Sequence, residues 1–272
     1  MKPLAIIPLY RPHPATLESL CFFLASSSID CVFYCNSPCK DDVQKVTRNI
    51  QGNFFVLGTE ENRGTAAAYN AATHILLANT IYSHLLLLDQ DSVPDKDFFS
   101  VLEKIEGDIV ANSIVCPPDT KSALLPRYNR TRPKRTPYKC LSHAKASGML
   151  VPRRLIEVGL RFYEPLFVDY VDWLFCWQAR KLGYSILEMP QLQLAAHSLG
   201  NPYSLLGVAI LSLPSQSRRA IQKRSALLLM CNWQLFYNAP FASILRICLR
   251  PILVPILNLL ESIHILIPIR SK

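Results

Sequence analysis

Short apolar runs alternate with amphipathic stretches through the first two hundred residues. Leu4–Leu9 reads as a first strand, closed by Tyr10-Arg11-Pro12-His13-Pro14. Residues 14–26 read as a helix, and Asp30–Cys35 as a second strand stopped by Asn36-Ser37-Pro38. A short helix over Asp41–Arg48, a strand over Asn53–Leu57 and an Ala-rich helix over Thr65–Asn79 follow. Ser83–Leu88 is a fourth strand, Asp95–Ile105 a helix opened by Pro94 and acids, and Ile109–Val115 a further strand. Beyond a break come the apolar run Ala144–Val151, a helix from Pro152, and a helix that ends at Leu182 with Gly183 as its cap. Two more strands, Tyr184–Leu187 and Leu192–Ala196, complete the series. This alternation predicts an α/β fold, a mostly parallel sheet with helices on both faces.

The pattern changes near residue 203. Residues 217–238 read as one basic, aromatic-rich helix, and 240–269 are strongly apolar but broken by Pro251, Pro255 and Pro268. A spanning helix needs roughly 20 largely uncharged residues. Residues 251–269 carry Glu261, His264 and two internal prolines, so an interfacial or re-entrant helix pair is expected rather than a span. The chain is therefore expected to divide into a domain over 1–202 and a basic, membrane-associating extension over 203–272.

Charge sharpens that division. Residues 1–200 hold 21 Lys/Arg and 19 Asp/Glu, whereas 201–272 hold 8 Lys/Arg and only Glu261. A basic segment mixed with Leu and Ile suits an anionic membrane surface. It does not suit nucleic acid, whose readers are exposed polar and aromatic side chains. The nine cysteines form no Cys-x-x-Cys pair, and most read as buried thiols. No signal peptide is legible at the N-terminus. A peripheral protein on the cytoplasmic side of a membrane is the expectation.

The candidate chemistry begins where the fourth strand stops. Leu85–Leu88 runs into Asp89-Gln90-Asp91-Ser92, two carboxylates one residue apart. Open α/β sheets place ligands at the carboxyl ends of strands, and hard oxygen donors suit Mg2+ or Mn2+ bridging substrate phosphates. The plainer reading is an Asp-rich turn. A second acidic element, Phe167-Val168-Asp169-Tyr170-Val171-Asp172-Trp173, opens a helix, where an acid is also an ordinary N-cap. Between residues 117 and 139, Arg127, Arg130, Arg132, Lys134, Arg135 and Lys139 sit among prolines and threonines. That stretch reads either as a solvated loop or as one that meets phosphates.

In order, Asn62-Arg63-Gly64 with Asn70, Asp89 to Ser92, Ser147-Gly148, Asp169 to Asp172 and His197 to Gly200 resemble the inverting family 2 glycosyltransferases of the GT-A fold. Within that family the closest match is the rhamnosyltransferase-like branch that builds bacterial surface polysaccharides. The resemblance covers roughly residues 3–235. It implies a GT-A, Rossmann-like domain that takes a sugar from a nucleotide donor, with dTDP-rhamnose as the donor that the branch suggests, to a lipid-linked or polysaccharide acceptor at the inner membrane. It implies Asp172 as the base, Asp91 with Asp89 as holders of a divalent cation, and His197 as a metal or diphosphate ligand. Asn36, Asn62, Arg63, Gly64, Asn70, Asp89, Asp169 and Arg224 would contact the substrates. Ser147 and Gly148 would line the acceptor side, with Gly148 leaving room for the sugar.

Four positions depart from the pattern. Cys35 stands where an Asp usually reads the base, Leu174 replaces a Glu, Gln178 replaces an Arg, and Ser225 replaces the Asn after Arg224. These departures keep open an alternative, a silent relative that binds saccharide or scaffolds another transferase.

Overall fold

The computed structural model describes residues 2–27, 29–50, 52–95, 97–104, 111, 113–118, 138–196, 203–205, 208–211, 216–236 and 239–266. Its centre is an eight-stranded sheet. The strands are β1 (Pro3–Leu9), β2 (Asp30–Cys35), β3 (Phe54–Leu57), β4 (His84–Leu87), β6 (Ser113–Cys116), β7 (Lys139–Cys140), β8 (Met149–Pro152) and β9 (Ser185–Glu188). They lie in the order β3-β2-β1-β4-β8-β6-β9-β7. A two-residue β5 (Val93–Pro94) pairs with β10 (Leu194–Ala196), and β11 (Tyr203–Leu205) pairs with β12 (Val208–Leu211).

The side-chain period of two in β1 explains the layers. Leu4 and Ile6 pack with Val32, Leu85 and Leu87 on one face, while Ala5, Ile7 and Leu9 pack with Cys31, Phe33 and Leu86 on the other. Helices α1 (Pro14–Ser26), α2 (Lys40–Arg48) and α4 (Phe98–Glu103) bury Leu17, Val43 and Phe98 against the second face. Helices α3 (Gly64–Ala78), α5 (Arg153–Glu157) and α6 (Val171–Lys181) cover the first. Strands buried on both faces read as continuous apolar runs, as β1 and β2 do.

The sheet is mixed. From β3 through β4 every pairing is parallel, but β8 inserts antiparallel between β4 and β6. The apolar run over 144–151 gave no sign of its direction. As expected, Gly183 ends α6: at φ +87° its N–H donates to Arg180 O, and the Tyr184 N–H reaches Ala179 O. The fourth helix is shorter than its sequence span.

The C-terminal region also departs from expectation. Helix α7 (Gln216–Cys231) ends seven residues early and yields to a 3₁₀ turn at Trp233–Leu235. In place of a helix pair, one helix, α8 (Phe241–Leu266), runs through Pro251 and Pro255. Each proline deletes one bond to the residue four before it. Buried Ile247 and Val254 anchor the helix across the gap. Among the described residues no helix is long and apolar enough to cross a membrane. Ala226, Leu229 and Ile247 join the same core as α3 and α6, so α7 and α8 pack directly on the sheet domain.

Candidate functional site

The antiparallel register of β4 and β8 builds the first half of the site. Leu87 faces Met149, so continuing the register by two residues sets Asp89 opposite Ser147. The Gly148 N–H donates to Leu87 O at 2.8 Å and holds the strands together there. The Ser147 hydroxyl donates to Asp89 Oδ2. One residue back, the Ala146 N–H donates to Asp172 Oδ2 at 3.0 Å. The turn before β8 thus ties together two carboxylates that lie 83 positions apart in the chain.

The second half is the loop from Phe162 to Tyr170, held on several sides. Asn70 clamps its start: Nδ2 donates to Phe162 O and Glu164 Oε1, and Oδ1 accepts from the Phe162 N–H. Phe167 O caps α3, accepting from the Thr65 N–H at 2.8 Å. Ser225 on α7 donates to Leu166 O at 2.9 Å. These restraints hold Phe167 and Tyr170 at φ +66° and +65°, a conformation that costs non-glycine residues on the order of 1–3 kcal/mol. Asp169 lies between them, and α6 starts immediately after. Asp172 sits inside the first turn of α6 rather than at its N-cap, which is Tyr170.

Between these halves lies a cleft of about 410 Å3, with Asp89, Ser147, Asp169, Asp172, Arg218 and Trp173 among its lining residues. Burial pushes the Asp172 carboxyl up from 3.8 to about 6. Its two backbone N–H partners, Trp173 at 2.8 Å and Ala146, pull the other way, and neighbouring Asp89 and Asp169 add to the rise. Burial raises Asp169 as well, offset first by Arg218, whose Nη2 lies 3.1 Å from Oδ1, and also by Gln222 and Arg250. Tyr69, buried behind the acids, is raised by burial and then by Asp89 and Asp172. A carboxylate with a value near neutrality, facing a cleft, can accept a proton at physiological pH.

Four of the residues singled out from sequence meet in this cleft: Asp89, Ser147, Asp169 and Asp172. The other described candidates stand elsewhere. Asn36 is buried; its Oδ1 accepts from the Arg63 N–H and its Nδ2 donates to Gly64 O. Asn62 Oδ1 accepts from the Gly64 N–H, so these side chains shape the turn into α3. A Cβ on Gly64 would lie 2.2 Å from Phe167 O. The missing side chain therefore seats the acidic loop, and Asn70 clamps it. The space beside Gly148 is filled by Pro117, 2.7 Å from where a Cβ would be, so glycine there serves packing rather than sugar approach. Arg63 pairs with Glu164 at 3.8 Å, and Arg224 is exposed outside the cleft lining. Asp91 is half-buried in the turn after β4 and also outside that lining. His197 and the basic positions 127–135 lie outside the described residues.

Four cationic residues of the cleft are not among the candidates named from sequence: Lys145 before β8, Arg218 on α7, and Arg246 and Arg250 on α8. Spacing on α7 carries a signal, because positions 218, 222, 225 and 229 recur on one helical face that meets the acidic loop and core. Three of the four positions that depart from the resemblance are interior, and Gln178 is half-buried. Leu174 and Cys35 are buried, and Ser225 is spent on Leu166.

Among the described residues no group of three or more His, Cys, Asp or Glu side chains could hold a metal ion. Magnesium, however, usually takes one or two carboxylates together with substrate phosphates and water. Asp89 lines the cleft and Asp91, two residues on, lies outside that lining, so the two carboxylates make an open pair rather than a closed protein cage.

No family model matches the chain, and no curated protein matches it. Solved structures do. TarS 1–349 from S. aureus is 15% identical over 84% of this chain and 65% of that one, with a TM-score of 0.50. The chain thus spans just under two thirds of that structure's length. A197 from STIV is 18% identical over 73% of this chain and 86% of that one, with a TM-score of 0.44. The likeness to TarS shows the fold, a GT-A-like α/β arrangement with a central eight-stranded sheet flanked by helices.

Proposed function

We propose that the protein is an inverting glycosyltransferase that moves a sugar from a nucleotide donor to a lipid-linked or polysaccharide acceptor. The observation that carries this reading is Asp172, a cleft carboxyl at about 6 held beside Asp89 by the Ala146–Ser147 turn. In the reaction, ionised Asp172 accepts the proton of an acceptor hydroxyl. The hydroxyl oxygen bonds to the anomeric carbon from the face opposite the diphosphate. The bond from that carbon to the diphosphate oxygen breaks, and its electron pair leaves with the phosphate, inverting the centre. The Trp173 and Ala146 N–H groups hold the Asp172 oxygens in place for the transfer. Asp89 and Asp91 would hold Mg2+ or Mn2+, which neutralises charge on a departing diphosphate.

The resemblance to the rhamnosyltransferase-like branch supports dTDP-rhamnose as donor and surface-polysaccharide assembly, such as O-antigen or capsule, as the setting. The basic extension supports a peripheral place on the cytoplasmic face of the inner membrane. A thermal-shift screen of dTDP-, UDP- and GDP-sugars with and without Mn2+ tests the reading. One donor should raise the melting temperature in a metal-dependent way. Asp172→Asn should keep that shift and lose both transfer and slow donor hydrolysis. No shift with any nucleotide sugar would move the protein to the silent, saccharide-binding alternative.

A further inference from the structure

Helix α8 has three distinct sides. Ser243, Ile247 and Val254 face the core and are buried. Opposite them, Phe241, Leu245, Leu249, Ile252, Ile256 and Leu259 recur at spacings of four, four, three, four and three, and each is between 40 and 78% exposed. At 100° per residue these six fall on one stripe about 180° from the buried line. Arg246 and Arg250, one turn apart, occupy a single flank between the two, and both line the catalytic cleft. Arg246 lies over the Trp173 ring at 5.4 Å, next to Asp172. Arg218 from α7 lines the same cleft.

An apolar stripe of this length left to water needs a cover. The chemistry around it selects the cover. Its flank carries guanidiniums, and residues 201–272 hold eight basic residues against Glu261. That balance complements an anionic lipid surface. A helix lying in such a surface sets the cleft mouth beside the headgroups.

We propose that α8 lies on an anionic bilayer through this stripe, and that Arg246, Arg250 and Arg218 grip the phosphate or diphosphate of a lipid entering the cleft from it. The proposal rests on the transferase reading and names the acceptor class, a lipid-borne phosphate or diphosphate saccharide. Guanidinium forks match phosphate oxygens in a way a surface lysine does not. The Trp173 ring keeps Arg246 at the cleft edge, so the anion is held near Asp172 but not on it.

The test uses the full-length chain. Flotation with vesicles of phosphatidylcholine plus phosphatidylglycerol, against phosphatidylcholine alone, reads the stripe. Binding of farnesyl diphosphate, against inorganic pyrophosphate, reads the arginines. Wild type should float with the anionic vesicles at least tenfold better than with neutral ones, and should bind farnesyl diphosphate. Leu249→Glu/Ile256→Glu should abolish flotation while leaving pyrophosphate binding within twofold. Arg246→Ala/Arg250→Ala should weaken farnesyl diphosphate binding at least tenfold, and Arg246→Lys/Arg250→Lys should restore only part. Circular dichroism confirms that each variant is folded, and the lysine pair serves as the reading if the alanine pair is not. Flotation unchanged by the glutamates, or capture of a protein partner by the stripe without flotation, would overturn the proposal. So would arginine variants that lose nucleotide-sugar binding but keep farnesyl diphosphate binding. That last result would assign the arginines to the donor and leave the transferase reading standing. Failure of every nucleotide sugar to bind wild type would instead defeat that reading while the lipid arms still report.

Discussion

Asp172→Asn should stabilise the protein at the pH where it destroys activity. The ordinary value of the carboxyl is 3.8, and the folded chain holds it at about 6. A gap of about two units is worth roughly 3 kcal/mol of preference for the neutral form. The residue is part-exposed to the cleft, so water there reduces the figure to roughly 2–3 kcal/mol. Between the two values the folded chain keeps a proton that the unfolded chain has lost. Stability therefore falls as pH rises, and the whole cost is present above about pH 6. Asparagine removes the charge but can accept from only one of the Trp173 and Ala146 N–H groups with its single oxygen, which returns about 1 kcal/mol. The net gain for the variant is about 1–2 kcal/mol at pH 8. It should shrink by roughly 1.5 kcal/mol at pH 5, where wild-type Asp172 is mostly protonated. Urea unfolding followed by tryptophan fluorescence, with a chelator present, measures both values. An advantage equal at pH 5 and pH 8, or a wild type that is the more stable at pH 8, would refute the reasoning.

The clamps on the acidic loop give two further expectations. Gly64→Ala forces a Cβ to within 2.2 Å of Phe167 O at a φ of +79°, and it should cost about 2–4 kcal/mol in urea unfolding. Amide exchange over Val168–Val171 should speed up in that variant before global unfolding does. Asn70→Ala removes three hydrogen bonds to Phe162 and Glu164 and should cost about 1–3 kcal/mol. Its affinity for a nucleotide sugar, read by calorimetry, should change less than twofold if Asn70 is a clamp, and far more if it touches the donor.

The sheet domain was legible because its signals are local. The continuous apolar runs of β1 and β2, the abrupt end of Leu85–Leu88 in acids, and Gly183 after α6 each carry their meaning within a few residues. The sense of β8 was not legible, because an apolar run reads alike in both directions. That sense alone brings Ser147 opposite Asp89. The polar residues of the Asn62–Asn70 region were assigned to the substrates through the resemblance, which carries a motif but not its partners in this fold. The partners of Arg63, Thr65 and Asn70, namely Phe162, Glu164 and Phe167, lie about a hundred positions away, and no local pattern announces them. The arginines of α8 were hidden for a related reason. In sequence they belong to an apolar, proline-broken tail, and only the docking of Ile247 and Val254 turns one flank of that tail toward the acids.

The two parts of the chain, separate by composition, meet electrostatically at Asp169. Burial raises this acid, and the groups that oppose the rise come from α7, through Arg218 and Gln222, and from α8, through Arg250. The sheet domain supplies the carboxylates, and the extension supplies most of the charge that makes them tolerable in a part-buried cleft. A buried acid deprived of its cations either takes up a proton or draws water into its surroundings. Asp169 sits in the same strained loop that delivers Asp172, so either response would move the base. Deleting residues 240–272 would therefore not be a clean test of membrane attachment. It would strip Ile247 and Val254 from the interior and two guanidiniums from the cleft along with the apolar stripe. Charges placed on the outer stripe alone separate attachment from assembly, because that side of α8 contributes nothing to the core.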